Sequence, residues 1–336
     1  MKAMIMAAGV GSRLDPVTQS VPKPLVRIAN RPVMDILLEN LAKIGVDKVI
    51  ANTYYFADKI IERYSSNPYG IKFNYIKEET LSGTAGGLKK CQYFFDNGED
   101  FMVLSADGLF DADLRHGIDI HKKSGAIATI GIKQIPQEEV SHFGVAVIDK
   151  NGYITEFQEK PAVKDAKSNF INTGIYIFNS KIFDFIPANT FYDFAKNVFP
   201  KLLELHQINT FEIKDYWSDI GTLEQYKQSN FDVFEGLCNF PHSEIIQYEN
   251  GKLITDTKDV DIDIYGSCTI GKNCKFGRNV KLENSILWDN VEICDNVAVK
   301  DCIILSDCII KSDLTSQIYA ENSCIEDLNN KCVTVL

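Results

Sequence analysis

No apolar stretch in this sequence comes near the roughly 20 residues that a bilayer-spanning helix needs. Positive charge is the scarcer sign. The chain has 35 lysines and arginines against 46 aspartates and glutamates, for a net charge of −11 at pH 7. That balance excludes the broad positive field expected of a partner of nucleic acid or of an anionic membrane surface, so neither is expected here. Nine cysteines are present without a CxxC pair, and no Gly-Lys-Ser/Thr triplet of a Walker loop occurs. Histidine is limited to five residues, of which His242 is the last. The N-terminus offers a single lysine and a very short apolar run with no cleavage pattern, which reads as cytoplasmic. The rest is ordinary for a globular protein: 45% hydrophobic and 24% charged residues in 336, enough for two domains and a substantial core.

With no global positive field, an anionic ligand has to be met by local cations. Residues 4–26 (MIMAAGVGSRLDPVTQSVPKPLV) have such a layout. The apolar run Met4 to Ala8 reads as a buried strand that ends in Gly9 and Gly11. These glycines let backbone N–H groups approach an anion closely. Arg13 and Lys23 add two cations, a set that suits a triphosphate. A dinucleotide fold would want a third glycine where Leu14 stands.

Residues 1–235 alternate strand-like and helix-like segments. Strands are expected at 48–51, 71–76, 101–105, 126–132 and 144–148, and helices at 58–64 and 114–123. Val33, Ile36, Leu37, Leu41 and Ile44 share a helical face that Gly45 closes. This alternation implies an α/β layer with a largely parallel sheet, whose ligands sit beyond the strands' carboxyl ends. From residue 262 the period changes. Ile264, Ile270, Phe276 and Leu282 are spaced by six. After a one-residue shift, Leu287, Ile293, Val299 and Leu305 continue the pattern. A hexapeptide repeat is the sequence sign of a left-handed parallel β-helix, here over 262–336, with 236–261 as a linker. Seven of the cysteines lie between Cys268 and Cys332. Without ligand spacing they read as small side chains stacked in the repeat rather than as a zinc site or disulfide framework.

Three further segments carry candidate chemistry. A buried strand delivers Asp107 in 101–113 (FMVLSADGLFDAD), while Asp111 and Asp113 read as caps of the helix that follows. Asp219 lies in 216–226 (YWSDIGTLEQY). Gly144 opens GVAVID, followed by Glu159 and Lys160 in 153–161 (YITEFQEKP) and by Asn172-Thr173-Gly174.

Taken together, Gly9 to Leu14, Pro16 to Thr18 and Pro22 to Leu25 resemble the signature of the sugar-1-phosphate nucleotidylyltransferases, with Asp15 and Val17 as departures. The resemblance implies a Rossmann-like, doubly wound mixed-sheet catalytic domain. It also covers the repeat, because several family members carry such a β-helix after that domain. It implies that Ala8, Gly9, Gly11, Ser12, Arg13, Lys23, Glu78, Gly83 and Thr84 bind nucleotide, with 78–87 (EETLSGTAGG) as the base-reading loop. It implies that Gly144, Glu159, Lys160 and Asn172 bind the sugar phosphate, and that Asp107 and Asp219 hold Mg²⁺. Arg13, Lys23, Asp107 and Lys160 are then the catalytic set.

Glu78 stands where many relatives use Gln. A carboxylate only accepts, and guanine offers two adjacent donors, so Glu78 favours GTP. General likeness of 216–226 and of 190–203 (TFYDFAKNVFPKLL) to mannose-1-phosphate guanylyltransferases adds mannose-1-phosphate as the expected acceptor. Other sugar-1-phosphates and UTP, dTTP or ATP remain open, as does a non-catalytic regulatory subunit. Acyl transfer is disfavoured because the repeat lacks histidine. The β-helix is read as a packing or homo-oligomerisation module.

Overall fold

The computed structural model describes residues 1–95, 98–239, 242–320, 325–327 and 331–333. By compactness the chain forms two units. One holds Met1–Val10, Pro22–Pro24 and Met34–Asp219. The other holds Gly11–Val21, Leu25–Val33 and Ile220–Leu336. The units are not contiguous in sequence: two stretches of the N-terminal motif group with residues from Ile220 onward.

In the first unit the opening apolar run forms strand Lys2–Ala7, which lies parallel to Lys48–Thr53 on one side and to Phe101–Ser105 on the other. Lys72–Lys77 extends this parallel half beyond Lys48–Thr53. Helices Val33–Lys43, Ala57–Tyr64 and Leu114–Ser124 supply connecting layers. Ile36, Leu37 and Leu41 are buried as their spacing requires, and Gly45 takes φ +87° just past the helix. Asp113 caps Leu114–Ser124 by accepting from the His116 N–H at 3.0 Å.

The other half of the sheet departs from the parallel expectation. Phe170–Phe178 runs antiparallel to Phe101–Ser105, Ala128–Gln134 and Gly144–Ile148, and Gly144–Ile148 runs antiparallel to Ile154–Glu159. For the last of these pairs the reason is local. The connection after Ile148 is too short for a parallel crossover, and the Asp149 carboxylate closes it as a turn by accepting from the Asn151 and Tyr153 N–H groups. The sheet is therefore mixed. An aromatic core underlies it, with Phe95 stacked on Phe101 (centroids 4.1 Å apart) and Phe101 on Phe183 (5.5 Å).

In the second unit the repeat forms a parallel β-helix. Ile264 aligns with Leu282 and then Val299. Ile270 aligns with Leu287 and then Ile304, and Phe276 with Ile293 and then Ile310. The expected inward residue Leu305 is displaced by Ile304, which takes the register position above Leu287. The cause is that the first side of the second and third coils is a residue shorter than in the first coil, where Ile264, Ile270, Phe276 and Leu282 keep steps of six. The step of five seen from Leu282 to Leu287 recurs from Val299 to Ile304, so the six-residue period does not hold throughout. Corners are turned by residues in the left-handed region, including Asn273, Asn290 and Asp307. Their side chains form a ladder: Asn273 donates to Asn290 (3.2 Å), and Asn290 donates to Asp307 (2.8 Å). Cys268, Cys274, Cys302 and Cys308 are free thiols packed in the coil interior. Strand Asn250–Thr255 pairs in parallel with Asp263–Ile270, so part of the expected linker belongs to the first coil.

Candidate active site

Strand Phe101–Ser105 ends beside strand Lys2–Ala7, where the Ala106 N–H donates to the Met6 carbonyl at 3.2 Å. Asp107 follows at the carboxyl end, as expected of an α/β sheet. The next residues, Leu109–Phe110, pair antiparallel with Trp217–Ser218, which brings Asp219 to the same place from a distant part of the chain. On the antiparallel side, strand Phe170–Phe178 shifts register between Asn172 and Tyr176. Gly174 allows the shift. Its φ is +75°, and a side chain there would sit 3.1 Å from the Ser105 Cβ. Asn172 is fixed at both ends of its amide, accepting from the Gly174 N–H at 3.1 Å and donating to the Tyr176 hydroxyl at 3.0 Å.

These elements enclose a cavity of about 170 Å³ whose lining includes Asp107, Phe143, Asn172, Tyr176, Trp217 and Asp219. Lys23, held between two prolines, places its ammonium 2.5 Å from the Asp107 carboxylate, with the two side chains 11% and 25% exposed. Burial works against the charged form of Asp107. The Lys23 charge and hydrogen bond, with help from Ser105, more than offset it and hold the carboxyl below its usual range. Asp107 is thus an ionised carboxylate at neutral pH. Asp107 and Asp219 offer hard oxygen donors on one cavity. Among the described residues no group of three or more His, Cys, Asp or Glu gathers around a possible metal position. Two carboxylates leaving room for water and substrate oxygens fit Mg²⁺, which rarely takes an all-protein cage.

Gly144 and Glu159 face each other across adjacent strands. A side chain at Gly144 would approach Phe157 to 2.7 Å and the Glu159 carboxylate to 3.3 Å, so the glycine makes room for both. Lys160 is exposed and adopts φ +47°, an uncommon value for a non-glycine residue. Its N–H donates to the carbonyl of Phe143, a cavity residue.

Glu78 is placed differently from the expectation of a free acceptor for a base. It is 5% exposed. One carboxylate oxygen accepts from Asn52 (2.7 Å). The other accepts from the Ser82 N–H (3.1 Å), the Ser82 hydroxyl and Lys90 (2.9 Å). Four donors occupy the roughly four lone-pair sites of a carboxylate. Burial raises the Glu78 pKa, but Ser82, Lys90 and Asn52 together bring it below its ordinary value. Asn52 also accepts from the Ala7 N–H at 3.2 Å, so Glu78 braces the first strand's end and the loop after it. Gly83 is demanded by packing as well as by any ligand. At φ +78°, a side chain there would lie 2.4 Å from the Tyr192 carbonyl oxygen. The Thr84 hydroxyl donates to Asp193 (2.9 Å) and accepts from the Phe194 N–H (2.9 Å).

Ala8 is buried and Gly9 lies in open space, both in the first unit. Gly11, Ser12 and Arg13 belong to the second unit. There Gly11 takes φ +76°, Ser12 and Arg13 are exposed, and buried Thr18 closes the loop by donating to the Gly11 carbonyl at 3.0 Å and to Asp15 at 2.8 Å. The structure therefore brings Lys23, Asp107, Asn172 and Asp219 together in one unit. Sequence reasoning missed the aromatic lining of Phe143, Tyr176 and Trp217. Trp217 had a usable signal: it is one of two tryptophans in the chain and stands two residues before Asp219.

An α/β sheet with a charged cavity at a strand's carboxyl end, preceded by this glycine and lysine motif, defines a nucleotide-processing protein. The chain belongs to the nucleotidyl transferase family, whose model matches residues 2–235. It is 42% identical over 245 residues to the UTP--glucose-1-phosphate uridylyltransferase of Synechocystis sp., covering 68% of this chain. The match spans 62% of that relative's own length. It is 34% identical over 256 residues to the mannose-1-phosphate guanylyltransferase catalytic subunit beta of Dictyostelium discoideum, covering 75% of this chain and 69% of that one. Among solved structures, HddC from Yersinia pseudotuberculosis is similar with a TM-score of 0.59 at 26% identity, over 69% of this chain and 99% of that chain.

Proposed function

We propose that this protein transfers a nucleotidyl group from a nucleoside triphosphate to a sugar-1-phosphate, giving an NDP-sugar and pyrophosphate. The observation that carries this reading is the Lys23–Asp107 pair on a cavity shared with Asn172 and Asp219. In the reaction, an oxygen of the sugar phosphate bonds to the α-phosphorus while the bond from the α-phosphorus to the bridging oxygen breaks. The electron pair leaves with pyrophosphate. The attacking phosphate has a second pKa of about 6 and is already mostly dianionic, so no general base is required. The protein's work is alignment and charge neutralisation.

Lys23, released from Asp107 by competing phosphate oxygens, neutralises the triphosphate and the departing pyrophosphate, and Arg13 is assigned the same role. Lys160 holds the sugar phosphate. Asn172 keeps one N–H and one lone pair for a sugar hydroxyl after its two internal bonds, and Glu159 accepts from another. Asp107 and Asp219 are the residues that would hold Mg²⁺, which supplies neutralisation of phosphate charge.

For the base we put UTP first, with glucose-1-phosphate as acceptor. The 42% identical relative bears that name, and the argument for guanine loses its footing once Glu78 is occupied by internal donors. GTP with mannose-1-phosphate is the second reading, favoured by the guanylyltransferase relative at 34% identity. The test is to incubate the protein with UTP, GTP, dTTP or ATP, each with glucose- or mannose-1-phosphate, and to identify the sugar nucleotide formed. UDP-glucose as the main product supports the first reading and GDP-mannose the second. No sugar nucleotide from any pair refutes the reaction.

A further inference from the structure

The two segments that bracket Pro22–Pro24 in sequence, Gly11–Val21 and Leu25–Val33, belong to the unit of the β-helix. The second segment contains a tight hairpin in which Arg27 pairs with Pro32 and Ile28 with Arg31. Its two turn residues, Ala29 and Asn30, have φ +48° and +64°, values that two-residue hairpin turns require and that glycine usually supplies. Buried Ala29 in the left-handed region persists because its surroundings over-determine it.

Those surroundings are specific. The Ala29 N–H donates to the Asn230 side chain at 2.9 Å, on helix Leu223–Phe234. The Asn30 amide donates to the Ile270 carbonyl at 2.7 Å, in one coil of the β-helix. The Arg27 guanidinium donates to Asp289 at 2.6 Å in the next coil and lies 5.5 Å from the ring centroid of Trp288. The Trp288 indole in turn donates to the Tyr226 hydroxyl at 3.0 Å, back on the helix. Asp289 also accepts from the Lys272 N–H at 2.8 Å, so its carboxylate is fixed by the coil itself. A module serving assembly alone needs none of these contacts with the residues that follow Lys23.

We infer that the β-helix, through Asp289 and Trp288 acting on Arg27, positions the stretch of chain that carries Arg13 and Lys23 for nucleotidyl transfer. The inference rests on the proposed reaction, and Arg27 is in it a positioning residue. It acts by fixing where the cations stand, so losing it costs turnover more than nucleotide affinity.

The test compares full-length wild type, Arg27→Ala and Arg27→Lys. Pyrophosphate release gives kcat and KM for the nucleotide, and amide hydrogen exchange is followed over 11–21 and 25–33. We expect Arg27→Ala to lower kcat by about tenfold or more with KM within about threefold, and to speed exchange in both segments. Arg27→Lys keeps the charge and loses the planar contact with Trp288, and should fall in between. A folded Arg27→Ala protein with wild-type kcat overturns the inference whatever the exchange shows. If Arg27→Ala does not fold, wild-type kcat in Arg27→Lys overturns it. If the wild type turns over no substrate pair, the proposed reaction fails separately, and unaltered exchange in Arg27→Ala then overturns the anchor as well.

Discussion

Glu78 shows how one carboxylate can look like a ligand contact in sequence and serve as a brace in the structure. Its folded-state pKa lies below the ordinary 4.5 because three side chains donate to it in a buried setting. A depressed carboxylate contributes stability that is fully present above about pH 4.5 and is lost as the pH falls through the lower folded-state value. Glu78→Gln should therefore destabilise the protein by about 2 kcal/mol at pH 7, since Lys90 loses its charged partner. The gap to wild type should shrink on acidification below pH 4.5, and urea unfolding at pH 7 and pH 3.5 measures both. A gap independent of pH would remove the ionised brace. Gly174→Ala should lower activity by about tenfold or more, because its φ of +75° and the 3.1 Å approach to Ser105 force the Asn172 turn to move. Steady-state rates with saturating substrates check it, and near-normal turnover would show that the turn tolerates a side chain. Lys23, Asp107, Asn172 and Asp219 could be picked out as candidates in sequence because each stands in a segment that resembles one of the nucleotidyltransferases' motifs. Phe143 and Tyr176 were not, because an aromatic that lines a cavity and one that fills a core have the same local pattern.

At the scale of elements, the apolar spacing marked where the strands and helices lie, but not the direction in which every strand runs. Direction depended on the length of the connections, as at the short turn closed by Asp149. The β-helix and its first one-residue shift, at Leu287, were legible from the six-residue period, and the recurrence of that shift after Val299 was not. A coil closes by geometry, and the shorter side shifts the inward position from Leu305 to Ile304. The corners carry a testable share of its stability. Asn290 holds φ +60° and bridges Asn273 and Asp307. Asn290→Ala loses both side-chain bonds and places alanine in the left-handed region, for an expected loss of about 1–2 kcal/mol. Asn290→Gly should recover part of that by relieving the backbone. Equilibrium unfolding of both variants measures the difference, and equal stability of the two would show that the ladder rather than the backbone governs the corner.

At the scale of the whole molecule, the candidate residues of this chain do not all fall within one contiguous stretch or one compact unit. The first strand, Lys23, Asp107 and Asp219 belong to one compact unit, and the loop with Arg13 belongs to the other. No linear reading shows this, since compactness depends on contacts distant in sequence. The central claim is that the Lys23–Asp107 pair is the charged centre of a nucleotidyl transfer site. The most direct measurement is pyrophosphate release by Asp107→Asn beside wild type, with UTP and glucose-1-phosphate in the presence of Mg²⁺. Pyrophosphate should form in the wild type only when both substrates are supplied, and the variant should be slower by about a hundredfold or more while keeping its thermal unfolding transition. Undiminished release in a folded Asp107→Asn protein would contradict the claim.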